Sequence, residues 1–193
     1  TNDNAPTDGK EMAGFPRITD DGSDFATYEG IIRSGAGLIN IWKGLEINAS
    51  SANLSDDLLQ RGRARMKVLR GTKPKRLCSN TSQERKYLAT TLPSVEYNSA
   101  AKRDSDHVAE LSWGGMKWVI DTDCGFDELY MFDPEYIERF DVYDLKFDDT
   151  DGNILKWDNG SDSFICYAKH YGNVGTKNPG AMLRFTSLAT PTF

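Results

Sequence analysis

Four carboxylates crowd into one short stretch of the chain: Asp121, Asp123, Asp127 and Glu128. Side chains of this type, so close together, can hold Mg²⁺ through oxygen ligands or divide acid and base roles between two carboxyl groups. The same residues also build turns, because Asp bonds the backbone two positions on, and Asp121 to Gly125 is read here as a turn. A second acidic run, Asp148-Asp149-Thr150-Asp151-Gly152-Asn153, has the look of a calcium loop. With Gly152 at the sixth position, however, the first ligand falls on Phe147, so the pattern fails. Asp151-Gly152 is then the strongest hairpin signal in the chain.

The other reactive residue types are sparse. His107 and His170 are the only histidines, and neither has a Ser or Cys partner in motif context, which weighs against a catalytic triad. Cys78, Cys124 and Cys166 are odd in number and widely spaced. They fit neither a disulfide framework nor a Cys-x-x-Cys metal pattern, so reduced thiols in a cytoplasmically made protein are expected. Gly35-Ala36-Gly37 is followed by no Lys-Ser/Thr and fits neither nucleotide fingerprint. Trp113, Trp118 and Trp157 are candidates for a sugar-stacking platform, although their strand placement favours core packing. No cofactor and no metal is expected from these patterns.

The elements that would position these residues can be read in order. Residues 1–10 are small and polar and read as a flexible lead-in. Phe15 to Ile18 is the first segment able to dock, and Asp20 to Asp24 is a turn. Phe25 to Ile47 is too broken by glycine for a long helix. The clearest helix is capped by Ser55, carries Asp56 and Asp57 in its first turn and stops at Gly71. Leu54 and Leu59 can form a hydrophobic staple, and Leu58, Leu59, Gly62, Met66 and Leu69 fall near one face. Arg61, Arg63, Arg65, Lys67 and Arg70 decorate the remainder. Arg76 to Ser79 reads as a short strand, and Thr81 to Glu84 as a capping box launching a helix that Pro93 stops. The polar run from Ser94 to Asp106 reads as a loop. Met116 to Ile120 alternates as a half-buried strand, and Leu129 to Phe132 is apolar throughout, as a strand covered on both faces would be. Asp133-Pro134 predicts a short helix over 134–140. Tyr143, Leu145 and Phe147 alternate as a strand that the Asp-Gly turn would fold against Ile154 to Trp157.

Charge is divided unevenly. Between Arg61 and Lys86 ten basic residues face only Glu84, whereas 104–162 is strongly acidic; the net formal charge is −6. An acidic chain is a poor candidate for a primary nucleic-acid partner. Opposed basic and acidic regions suit a molecule that packs against copies of itself, and equally two solvated surfaces of opposite sign. No apolar run approaches the length needed to span a bilayer.

The order of these elements resembles the C-terminal half of tailed-phage major capsid proteins of the Hong Kong 97-type fold. The resemblance rests on Gly115 to Asp121, Tyr130 to Asp133, Tyr143 to Trp157, and Tyr171 to Leu188 with its Tyr-Gly-Asn-Val and Asn178-Pro179. Upstream, the helix from Leu54 to Gly71 with the strand and helix that follow is similar to the start of that family's axial domain. Thr27-Tyr28-Glu29-Gly30-Ile31-Ile32-Arg33 is similar to a run often found ahead of it. Such subunits usually carry a long N-terminal arm, an extended loop and a spine helix, which are not found here, so the expectation is a fragment, a cleavage product or a chain numbered from within a longer protein.

The expected fold class is therefore α+β: a mixed sheet of strands near 76–79, 116–120 and 129–132, flanked by helices at 55–70 and 82–92. The last strands, near 163–171 and 181–188, are expected to pair and lead to a peripheral domain. The expected organisation is a lead-in with glycine-rich segments over 1–50, an axial-domain-like core over 51–160 and the strand pair over 161–193. The resemblance implies a non-catalytic capsid subunit that self-assembles, in pentamers and hexamers, into an icosahedral phage shell enclosing DNA. Scaffold and portal proteins are further candidate partners, DNA contact is non-specific, and no membrane is involved. Its place would be the virion, after assembly in the host cytoplasm. Intersubunit contacts are expected at Arg61, Arg63, Arg65 and Lys67 and at Asp148 and Asp149. The alternatives are a carbohydrate- or receptor-binding virion module using the tryptophans, and a hydrolase using Asp121, Asp123, Asp127 and Glu128.

Overall fold

The computed structural model describes residues 14–33, 42–91, 112–149 and 152–190. Helix α2 (Asp56–Arg70) forms where local signals are strongest. The Ser55 side chain accepts from the Leu58 N–H, and Gly71 takes a left-handed conformation while its N–H reaches the Lys67 carbonyl. Each end of the helix thereby gains a partner for one of its open backbone groups. Leu54 and Leu59 are both fully buried, as the staple requires. One expected core position differs: Leu69 is exposed, leaving Leu58, Leu59, Gly62 and Met66 as the buried stripe.

Beneath α2 lies a six-stranded mixed sheet. Its strands are β3 (Leu45–Asn48), β4 (Arg76–Ser79), β5 (Ser112–Trp113), β6 (Met116–Ile120), β7 (Leu129–Phe132) and β12 (Met182–Thr186). They lie in the order β3-β12-β7-β4-β6-β5. The β3–β12 and β4–β6 pairs are parallel and the others antiparallel. Register places Leu45, Leu183, Met131, Leu77 and Trp118 side by side across five strands. All five sit in the same core cluster as Leu54, Leu58, Leu59 and Met66 of the helix layer and Tyr87 of α3 (Thr81–Thr91).

Alternation along each strand sends the next residues to the opposite face. Cys78, Tyr130, Phe132 and Met182 form a second cluster there with Ile18 and Tyr28, joined by Phe15 of α1 (Phe15–Thr19) and by Trp42. That explains the unbroken apolar run of β7: all four of its residues are buried because both faces are covered. The Asp20 turn braces this second layer, its carboxylate accepting from the N–H groups of Gly22, Asp24 and Phe25.

Four local expectations are corrected. The α3 cap is Asn80, not Thr81: its side chain accepts from the Ser82 N–H, one position earlier than a Thr81 box would place it. The helix expected over 134–140 is a single 3-10 turn, Pro134–Tyr136, capped by Asp133. Beyond it the chain runs straight into β8 (Ile137–Phe147), because that segment finds a strand partner in β11 (Ala168–Thr176). Gly152 does turn the chain, with positive φ and its N–H on the Asp149 carbonyl. The strand after it, β9 (Lys156–Asp158), nevertheless pairs with β10 (Ser163–Ile165) rather than with β8. Lastly, the two closing strands do not pair with each other: β11 joins β8, while β12 enters the central sheet between β3 and β7. The two-residue strands β1 (Thr27–Tyr28) and β2 (Ile31–Ile32) make a small separate ribbon. The lead-in, Gly35-Ala36-Gly37, Pro93, the Ser94-to-Asp106 loop and His107 lie outside the described residues. Among the described residues no helix is long and apolar enough to cross a membrane.

Candidate assembly surface

The acidic cluster resolves into separate structural tasks. Asp121 accepts from the Asp123 N–H, and its own N–H reaches the Ser79 carbonyl, which fixes the turn after β6. The Asp127 carbonyl accepts from Leu188. Glu128 takes Arg184 Nη2 at 2.5 Å and the Tyr130 hydroxyl, in a site where both charged side chains are mostly buried. Burial followed by the neighbouring Glu128 charge pushes the Tyr130 phenol up. Burial opposes the Arg184 charge, but Glu128 outweighs it and holds the guanidinium above its usual range. Asp121, Asp123 and Glu128 do line a cavity of about 380 Å³ with Cys78, Cys124 and Phe15. Its thiols are poor nucleophiles: burial pushes Cys78 up to about 11 and Cys124 up to about 12.

The remaining candidates disperse in the same way. Trp118 is buried and donates to Ser79 Oγ at 2.8 Å. Trp113 is buried and donates to Asp56. Only Trp157 is exposed, edge-on to Phe164 at 5.0 Å, so the three form no common platform. His170 sits 3.1 Å from Asp141 and 3.0 Å from Arg139, outside any nucleophile's reach in the described structure. Among the described residues one acidic group, Asp20, Asp21 and Glu46, is close enough to share an ion. The Asp20 oxygens already accept from three backbone N–H groups and face Arg33 at 3.8 Å.

What the sequence did not disclose is the arm. Among the described residues strands β8 and β11 pair only with each other, and they carry the β9–β10 hairpin beyond them. From Phe140 through Phe147 every residue of β8 is exposed. Of the seventeen exposed large hydrophobic side chains among the described residues, eleven lie in the segment 137–176. They include Val142 at 82%, Leu145 at 69% and Phe164 at 62% exposed. Register shifts flank Tyr171, so β8 supplies extra residues opposite it and bends. A lone two-stranded ribbon is marginal in water, and an exposed apolar patch of this kind marks an interaction surface.

The arm is internally braced. Asp148, mostly buried, binds Lys169 at 2.7 Å and Lys156 at 3.9 Å. Asp141 binds Arg139 and His170, and Arg139 first of all holds its carboxyl below the ordinary range. Of the residues expected at intersubunit contacts, Asp148 is thus engaged within the arm, while Asp149 is exposed on it. Arg61, Arg63, Arg65 and Lys67 are all exposed on α2, where Arg63 reaches the Gly114 carbonyl and Arg65 the Glu46 carbonyl.

No family model and no curated protein matches the chain in sequence. Solved structures do match in shape. The cyanophage A-1(L) capsid subunit superposes with a TM-score of 0.64 at 10% identity, over 93% of this chain and 61% of that one. A subunit of the capsid of an empty GTA particle gives 0.53 at 12% identity, over 93% and 57%. The SrpI encapsulin from Synechococcus elongatus gives 0.53 at 8% identity, over 78% and 59%. The chain thus spans about three fifths of the length of the cyanophage subunit. At such identities the likeness is one of architecture, and it agrees with the α+β expectation: the chain has the fold of phage-capsid and encapsulin shell subunits.

Proposed function

We propose that the protein is a non-catalytic shell subunit that self-assembles, in pentamers and hexamers, into a closed icosahedral phage capsid. The observation that carries this reading is the arm, an exposed apolar ribbon attached to a fold otherwise used by shell proteins. A buried surface of standard interface size needs an apolar centre of this kind with a polar rim. The acidic residues that a hydrolase would require serve instead as turn formers and as the partner of Arg184. On this reading the protein belongs to the virion after assembly in the host cytoplasm, encloses DNA without reading its sequence, and meets scaffold and portal proteins during assembly.

The test is to express the open reading frame that encodes the chain and to examine the product by sedimentation and electron microscopy. Closed particles of uniform diameter are expected. A folded product that stays monomeric at high concentration, with and without crowding agent, would overturn the reading.

A further inference from the structure

We infer that the arm of one subunit docks on the outward face of helix α2 of a neighbouring copy. The inference rests on the shell reading and adds the partner surface to it. The two surfaces carry opposite charge. The segment 137–176 holds eight acidic against four basic side chains, whereas α2 holds five basic against two acidic. Much of the arm's basic charge is already spent within it, Lys156 and Lys169 on Asp148 and Arg139 on Asp141. Asp144 and Asp149 face no cation among the described residues, and both are exposed.

The helix offers a matching face. Its buried stripe is narrow, so most of its circumference faces outward. At 3.6 residues per turn, Arg61, Ala64 and Val68 share one outward face, with Arg65 on its flank, where its guanidinium reaches the Glu46 carbonyl. Val68 is 81% exposed on that face. An exposed valine on a helix rich in arginine complements, in both apolar surface and charge, an apolar ribbon that carries exposed aspartates. Arg61 has no partner among the described residues.

Such a contact also has the symmetry that a shell needs. Arm onto helix joins two different surfaces, so the contact is head-to-tail. Such contacts propagate into rings when the rotation closes, which a shell made of capsomers needs; a contact of like with like would stop at a dimer.

Charge exchange tests this in the full open reading frame. Three variants are compared with the parent: R61E/R65E on the helix, D144K/D149K on the arm, and all four substitutions together. Each pair alone is expected to raise the concentration needed for particle formation at least tenfold. The fourfold variant is expected to return it to within about threefold of the parent, and 1 M NaCl should blunt the differences. Circular dichroism and thermal melting of the unassembled subunits check that each variant folds. Should either pair misfold, V68C with L145C in a C166S background replaces it. A bismaleimide should then give a ladder of covalent oligomers.

The outcomes separate cleanly. A parent that forms no particles sinks the shell reading, and this inference with it. Particles from the parent and from both charge pairs at unchanged concentration leave the shell reading standing and overturn the arm–helix contact. Loss in the pairs without recovery in the fourfold variant overturns it too, as does cross-linking that stops at dimers or fails in assembled particles.

Discussion

Gly62 on α2 rests directly on the ring of Phe185 in β12: a Cβ at position 62 would overlap Phe185 Cζ and lie 3.3 Å from Met131 Sδ. Phe185 and Met131 are both fully buried at the centre of the sheet. The glycine thus sets the closeness of helix and sheet. Gly62→Ala is expected to destabilise by about 1–3 kcal/mol, the usual cost of overpacking a filled core. Gly160→Ala, with only ordinary contact to Asp158, should shift the urea midpoint little.

The Trp118 indole N–H is buried and has Ser79 Oγ as its partner at 2.8 Å. Ser79→Ala removes the acceptor and strands the donor away from water. A loss of about 1–3 kcal/mol is expected, the desolvation cost of an unsatisfied buried group. Denaturant unfolding followed by tryptophan fluorescence measures it; an effect under a few tenths of a kcal/mol would show that the bond is not formed in solution.

The three thiols should separate by reactivity. Cys166 is exposed, whereas burial pushes Cys78 and Cys124 up to about 11 and about 12. The thiolate is the nucleophile, so near pH 7.5 the two buried thiols should react about a hundredfold or more slowly than an unperturbed cysteine. One equivalent of a thiol reagent should be consumed quickly in the native protein and three after denaturation. Fast modification of two or three thiols in the folded state would contradict the closed second layer around Cys78.

Some of this architecture was legible because its causes are local. Ser55 and Gly71 mark the ends of α2 within a turn of the helix, and the apolar run from Leu129 to Phe132 announces two covered faces. The arm was not legible, for a physical reason. Alternation at Tyr143, Leu145 and Phe147 reports a strand but cannot say whether its faces are covered. The Asp-Gly turn is a local signal, so it suggested the next strand as partner; the partner β8 finds, Ala168 to Thr176, lies beyond an entire second hairpin. The acidic cluster was correctly read as turn-forming at Asp121. The role of Glu128 was hidden because Arg184 is 56 positions away.

Asp141 gives the arm an acid dependence. Its hydrogen bond from Arg139, with a smaller share from His170, holds its carboxyl below the ordinary value of 3.8. A depressed carboxylate stabilises the fold above its unfolded-state pKa, and that contribution drains away as pH falls through the lower folded value. The stabilisation from Asp141 is therefore expected to be intact above about pH 4 and lost below it. Carboxyl ¹³C titration should place Asp141 below 3.8, and Asp141→Asn should flatten the acid limb; a titration at or above 3.8 would remove the Arg139 pairing from the solution structure.

Glu128 and Arg184 carry the last prediction, because they separate the structural role of the acidic cluster from the catalytic one. The pair is 17% and 12% exposed, and breaking a buried ion pair from one side leaves an uncompensated charge. Glu128→Gln is expected to cost about 3 kcal/mol, toward the lower end of the range for such pairs because Asp24 stands 3.8 Å from Arg184 and retains part of the compensation. Arg184→Met together with Glu128→Leu removes both charges and should recover part of that loss, since an apolar replacement of the whole pair is often neutral, while the Tyr130 hydroxyl loses Glu128 as its acceptor. A catalytic carboxylate would behave differently: its replacement would leave stability nearly unchanged or raise it. Thermal melting of the two variants decides between these outcomes without any substrate in hand.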